Sequence, residues 1–238
     1  MSLLHSPKIV TNGLVLCLDA ASRKSYPGTG NVWRDLSGNG NDGTLTNGPT
    51  FSGTNTGSLT FNGTNQYATI NTLSNLQNQD FTISTWIYPN SQNYPTVCMI
   101  DFDHATLPFQ GWVLQSEDAN TNRNFYLGWY DGTQFQPVGG FGAGKGIQIN
   151  LSGWQNIVYS KNGTSLLGYK NNSQSYSHTA TNANVSYQSN RSLRIGTTII
   201  SYSRYFNGNI SQTLIYNRGL SPTEIQQNFN ATRGRYNL

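Results

Sequence analysis

Asp101 and Asp103 alternate within Ile100-Asp-Phe-Asp-His104, so on a strand both carboxylates would project from one face. A pair of that kind, one protonated and one ionised, is what cleavage of a glycosidic bond requires. His104 beside them adds a group that titrates near neutrality. The competing interpretation is a strand end running into a polar turn, and the scarcity of glutamate favours it. The chain holds two Glu, Glu117 in the loop-like Gln115-Ser-Glu-Asp118 and Glu224 at the head of a helix, far apart in sequence and context. No acid pair therefore stands out, and enzymatic activity is not expected.

Holding a sugar without cleaving it needs an aromatic face for the apolar side of the ring, with amides and carboxylates for its hydroxyls. Tyr126, Trp129, Tyr130 and Asp131, followed by Gln134 and Gln136, supply those groups within one stretch. Strand alternation puts Tyr126 and Tyr130 on one face and Trp129 on the other, so only one set can form a platform. The alternative is that some of these rings fill the core and the rest form a subunit contact.

Hard oxygen ligands for calcium come from Asp, Asn and carbonyl groups on loops. Asp19, Asp35, Asn39, Asn41 and Asp42 lie near one another and define a candidate calcium rim. No regular Asp-x-Asp ladder runs through them, which favours turns capped by their own Asx side chains with Gly38, Gly40 and Gly43 at positive φ. The Gly-rich Val138–Gly146 stretch contains Lys145 but lacks the Lys-Ser/Thr ending and the following helix of a phosphate loop. Cys17 and Cys98 sit in apolar runs without metal or disulfide spacing, so both are expected to be small, unreactive core residues.

Those groups must be positioned by strands. Charged residues make up 10% of the 238, against about a quarter in ordinary domains, while Gly, Tyr, Asn, Ser and Thr are abundant. That composition suits strands with polar outer faces and tight turns. The net charge of +4 is scattered, with mild concentrations only at Arg23-Lys24, Arg191 with Arg194, and Arg233 with Arg235, so nucleic acid is not an expected partner. Neither a signal peptide nor an 18-residue apolar run is visible, so membrane insertion is not expected either.

Leu14–Leu18 is an apolar run after Asn12-Gly13, as in a strand buried on both faces. Leu59–Phe61 and Tyr67–Ile70 flank Asn62-Gly63 and predict a hairpin. Phe81, Ile83, Thr85 and Ile87 alternate with Thr82, Ser84, Trp86 and Tyr88 along one long strand that Pro89-Asn90 ends. Further strands are expected at 96–102, 111–115, 125–130, 193–197 and 210–216. Trp154–Tyr159 and Leu166–Tyr169 should pair across an Asn162-Gly163 turn. Trp86 and Trp154 are expected in the core; Trp33 and Trp112 stay open.

One helix is expected, at the C-terminal end. Ser221-Pro-Thr-Glu224 forms a capping box with proline at the first helical position, and Leu220 with Ile225 forms a hydrophobic staple. Ile225 and Phe229 give the apolar stripe that docks it. Residues 1–238 are accordingly one all-β domain, a two-sheet antiparallel jelly-roll sandwich, with 219–236 as a capping helix and tail.

The segments Gly13–Asp19, Asp35–Gly43, Phe81–Pro89, Gly153–Tyr159 and Phe206–Ile225 resemble, in order and spacing, the concanavalin A-like lectin/glucanase superfamily and its laminin G-like members. The opening from Asp19 to Pro49 and the closing Asn228–Tyr236 are similar to standalone versions among tailed-phage virion proteins. After the Gly-x-Ile segment, where the family often carries an acidic pair, this chain has Ser211-Gln212. The resemblance implies a non-enzymatic virion surface protein, a head decoration or fibre or a tail component. Other virion proteins and a host cell-surface glycan would be its partners, and it would act as a homo-oligomer or in many copies. A bacterial carbohydrate-binding module is the alternative, and a polysaccharide hydrolase a third reading.

Overall fold

In chain order the strands are β1 (Leu14–Asp19), β2 (Val32–Trp33), β3 (Gly43–Thr46), β4 (Thr50–Ser52), β5 (Ser58–Asn62), β6 (Tyr67–Ile70), β7 (Phe81–Pro89), β8 (Cys98–Phe102) and β9 (Trp112–Ser116). They continue with β10 (Asn124–Tyr130), β11 (Phe135–Gln136), β12 (Ile147–Gln148), β13 (Gln155–Asn162), β14 (Ser165–Lys170), β15 (Ser173–Thr179), β16 (Leu193–Ile195) and β17 (Asn207–Tyr216), before the helix α1 (Pro222–Thr232). The computed structural model describes residues 7–53, 57–71, 80–90, 98–102, 111–116, 124–136, 145–186, 192–197 and 205–238, leaving aside the side chains of 98–102 and 116.

These strands build two antiparallel sheets. One runs β15-β14-β13-β7-β17-β5-β4 with β1 also on β17, and the other β11-β10-β9-β8-β16-β6-β3-β2 with β12 also on β10. Their inner faces meet in one apolar core. Leu16, Leu18, Phe61, Phe81, Ile83, Ile157 and Ile215 come from the first sheet, and Trp33, Ile70, Trp112, Leu114, Phe125, Leu127, Trp129, Leu193 and Ile195 from the second. Each fully buried side chain of this size is worth about 1.5–3 kcal/mol relative to exposure, so the alternation seen in the sequence is what holds the layers together. Trp33 and Trp112, left open by the sequence, are both core residues.

Two expected hairpins differ from expectation. β5 pairs with β17 and β4, whereas β6 pairs with β16 and β3 in the opposite sheet. The chain therefore arches over the sandwich edge between them. Asn62 stabilises the arch by accepting from Thr64 N at 2.9 Å and Asn65 N at 3.1 Å, a wider loop than a two-residue hairpin allows. In the β13–β14 hairpin Asn162 pairs with Ser165, so the two-residue turn is Gly163-Thr164, one position later than expected, with Gly163 at φ 55°.

The helix forms where its caps predict. Ser221 Oγ accepts from Glu224 N while Glu224 Oε2 accepts from Ser221 N, closing the capping box. It lies on the outer face of the first sheet, over a second apolar layer of Cys17, Val158, Leu214, Tyr216, Leu220 and Ile225. Trp86 belongs to this outer side rather than to the central core. It is sandwiched between Tyr236, at 3.8 Å between ring centroids, and Phe229, at 5.7 Å, and donates Nε1–H to Thr232 Oγ1 at 3.0 Å. The cause is its own register, since Phe81, Ile83 and Ile87 point inward and Trp86 must point out. Trp154, also expected in the core, is a partly exposed ring packed on Tyr236 at 5.0 Å.

Candidate functional site

The aromatic and amide cluster of β10 and β11 is split by the sheet. Trp129 is fully buried, beneath the Lys161 ammonium at 5.1 Å from its ring centroid, and Phe125 and Leu127 share its inner face. It presents no ring to a ligand, because strand parity assigns it to the core. Tyr126 is on the outer face but buried, with its hydroxyl accepting from Gln115 Nε2. Tyr130 is partly exposed and packs edge-on against Phe135 at 5.6 Å.

Asp131 is consumed by the turn that follows β10. Its Oδ1 accepts from Thr133 N at 2.8 Å, Thr133 Oγ1 at 2.7 Å and Gln134 N at 2.8 Å, and its Oδ2 from Gln136 Nε2 at 2.8 Å. Burial works against the charge, but these donors outweigh it and hold the carboxyl well below the usual carboxylate range. Gln134 is exposed. Of the expected cluster, Tyr130 and Gln134 remain at the surface, at one end of the second sheet.

The expected calcium rim resolves into separate structural roles. Asp35 Oδ1 accepts from Cys17 N and Ser37 N, both at 2.8 Å, and Oδ2 from Ser37 Oγ at 2.6 Å and Asn41 N at 3.1 Å. Asp42 accepts from Asp35 N at 2.8 Å, and Asn39 Nδ2 donates to Leu14 O at 3.1 Å. Asp19 has its own partners, gripped by Arg235 Nη1 at 2.9 and 2.7 Å, by Gln212 Nε2 at 3.1 Å and by Ala21 N at 3.0 Å. Both carboxylates with several donors, Asp19 and Asp35, are committed to protein partners on each oxygen, and Asp42 and Asn39 hold the same turn, so the set acts as loop-capping groups rather than as a shared calcium rim. No group of three or more His, Cys, Asp or Glu able to hold a metal occurs among the described residues.

Asp101 lies in β8 with its side chain outside the described set, and Asp103 and His104 lie outside the described residues, as do Glu117 and most of the Gly-rich stretch. Every carboxylate side chain among the described ones is engaged. Asp80 meets Lys161 at 3.5 Å, Glu224 grips Arg218 at 2.6 Å, and the aspartates above hold loops. Cys17 is buried and free, its thiol pushed up to about 12 first by burial and then by Asp19 and Asp35; Cys98, in β8, has its side chain outside the described set. Ser211-Gln212, at a β-bulge of β17, is structural too, since Ser211 Oγ donates to Gly57 O at 2.8 Å and receives the Tyr236 hydroxyl at 2.9 Å. A recess between β1 and the helix end, lined by Pro7, Ile9, Cys17, Leu36 and Gln212, has its charges, Asp19 and Arg235, paired to each other.

The outer face of the second sheet holds what the sequence reading missed. Thr44 pairs with Thr69, and Thr69 with Arg194, so three adjacent strands, β3, β6 and β16, set a row of two hydroxyls and a guanidinium on one face. Thr44 is exposed and Thr69 and Arg194 partly so, whereas Val113, Gln115 and Tyr126 on the β9–β10 side are buried. Arg194 Cζ lies 5.1 Å from the ring centroid of Tyr67, and Tyr205 lies 6.4 Å beyond it. The signal existed in Leu193-Arg-Ile195, where an arginine between two buried residues must face outward.

A family described as the concanavalin A-like lectin/glucanases superfamily matches residues 62–226. No curated protein matches the chain by sequence. Domain 4 of a GH43 extracellular arabinanase from Geobacillus stearothermophilus, solved with arabinotriose, is similar in structure, with TM-score 0.64, 17% identity, and coverage of 92% of this chain and 98% of that one. Also similar are a structure from work on ganglioside-dependent cell entry of botulinum neurotoxin type C (TM-score 0.67, 13% identity, 94% and 52% covered) and a Trypanosoma rangeli sialidase with sialic acid (0.63, 15%, 94% and 33%). The chain thus spans about half of the toxin structure and a third of the sialidase. At these identities the likeness establishes the fold. No helix among the described residues is long and apolar enough to cross a membrane. With the family match running from the β5–β6 arch to the first turns of α1, over a two-sheet antiparallel sandwich, the chain belongs to the concanavalin A-like lectin/glucanase superfamily.

Proposed function

We propose that the protein is a non-catalytic glycan-recognition module that works in many copies, with the virion surface of a tailed phage as its setting. The observation that carries the recognition role is the asymmetry of the two outer faces. The helix and its aromatic stack cover the β1–β17–β7–β13 part of the first sheet, whereas the β3–β6–β16 half of the second presents hydroxyls, a guanidinium and tyrosine rings. Such a surface suits weak, wet contacts strengthened by multivalency. The structural engagement of Asp19, Asp35, Asp42, Asp80, Asp131 and Glu224 supports a role without catalysis. The virion setting rests on the sequence resemblance of the opening and closing segments.

Coverage of 98% of an arabinanase domain favours a second reading, a carbohydrate-binding module of a polysaccharide-degrading system. A glycan array probed with multimerised protein, alongside a reducing-sugar assay from acid to alkaline pH, tests the shared core of both. Binding without sugar release is expected, and release lost in Asp101→Ala would overturn it. Copurification with phage particles against retention on insoluble arabinan then separates the settings.

A further inference from the structure

We propose that Arg194 is the anchor for a carboxylate on the recognised sugar, so that the ligand is an acidic glycan. This deepens the glycan reading above and rests on it. Arg194 is partly exposed, yet its Nε lies out of contact with water and has no hydrogen-bond acceptor. A nitrogen that water does not reach is not reached by a ligand oxygen either, so the guanidinium turns its Nε inward and offers its Nη end to an acceptor. The Nη1 and Nη2 hydrogens at the end of a guanidinium form a fork that matches the two oxygens of a planar carboxylate.

The surroundings complete the recognition. Tyr67 packs against the guanidinium at 5.1 Å, which fixes the plane of the fork and leaves the Tyr67–Tyr205 pair beside it as an apolar surface for a sugar ring. Thr69 is directly opposite Arg194 and Thr44 directly opposite Thr69. At the spacing of neighbouring strands that row reaches about 10 Å from the charge, enough to set hydroxyl groups along one or two sugar units. On its other side Arg194 is paired in register with Asp101. An internal pair with that aspartate is the rival explanation of the arginine.

The test compares matched probes on the full-length protein by calorimetry or on arrays: sialyllactose against lactose, trigalacturonate against its methyl ester, and dextran sulfate against dextran. The acidic member of each carboxylate pair should bind at least about tenfold more tightly than its neutral partner. Arg194→Gln should abolish that preference while sparing residual affinity for the neutral sugar. Arg194→Lys, which keeps charge and stem and guards against misfolding as the cause, should retain only part of it. Asp101→Asn should tighten binding of the acidic probe. Equal binding of lactose and sialyllactose, an unaffected Arg194→Gln, or weaker binding in Asp101→Asn would overturn the carboxylate assignment and leave the glycan reading standing. Preference for dextran sulfate over both carboxylated probes would also overturn it, in favour of a sulfated ligand. Failure to bind any probe or array glycan would remove both.

Discussion

Lys161 Nζ lies 5.1 Å from the ring centroid of Trp129 and 3.5 Å from Asp80 Oδ1, so a fully buried ammonium at one end of the sandwich caps an indole that the sequence had offered as a sugar platform. Burial lowers the lysine's pKa and Asp80 opposes that shift. Its folded pKa therefore lies below the unfolded one, so the penalty for keeping it charged applies at neutral pH and fades as pH rises towards the unperturbed value of about 10.4. Asp80→Ala should cost about 1–3 kcal/mol at neutral pH, discounted for the 38% exposure of Asp80, and less at alkaline pH. Denaturant melts at two pH values check this, and an equal loss at both would contradict it.

Trp129→Ala should destabilise the protein by about 3–5 kcal/mol, as for other buried aromatic truncations. Glycan binding at a temperature where the variant stays folded should be unchanged. A selective loss of binding with an unaltered melt would return Trp129 to the site.

The docking of α1 rests on Trp86 between Phe229 and Tyr236. Phe229→Ala should lower stability by about 3–5 kcal/mol and Ser221→Ala by about 0.5–2 kcal/mol. A shift in tryptophan fluorescence should accompany the first, because it removes one slice of the stack. Truncation after Arg218 with a wild-type melting temperature would show that the helix is dispensable.

Glu224 gives the helix a pH dependence. Its hydrogen bond to Arg218, followed by those of the capping box, holds the carboxyl at about 2, below its ordinary 4.5. A depressed carboxylate contributes stability that is complete above the ordinary value and is lost as pH falls from about 4.5 to about 2. The contribution is on the order of 1–2 kcal/mol after screening at a side chain 28% exposed. Glu224→Gln should flatten the acid limb of the stability profile by that amount. An identical acid limb in both proteins would rule the pair out as its source.

Gly57 turns at φ 61° with its Cα facing Ala21, where an added Cβ would stand 2.5 Å from the Ala21 Cα. Gly57→Ala therefore combines a left-handed backbone with a backbone clash, and should cost more than the ~1 kcal/mol of an ordinary Gly-to-Ala strain. Thermal unfolding reads the loss directly.

Local pattern by itself determined the class of this protein, because strand parity and helix capping are written in neighbouring residues. The alternation of Phe81, Ile83 and Ile87 with Thr82, Ser84 and Trp86 fixed which way β7 faces, and Ser221-Pro-Thr-Glu224 fixed where α1 begins. Parity also forbade Tyr126 and Trp129 from acting together. Which face of a strand is the core, however, depends on what packs against it. Trp86 is buried on the outside because a helix 136 residues later covers it, and Trp129 is inside because a second sheet does. Asn62-Gly63 signalled a turn, but whether β5 and β6 would pair or part was decided by the competing partners β17 and β16. Asp19 resembled a calcium ligand until the chain end brought Arg235 onto it. The Thr44–Thr69–Arg194 row joins residues scattered over 150 positions, and only the hydrogen-bonded register of three non-consecutive strands brings them side by side.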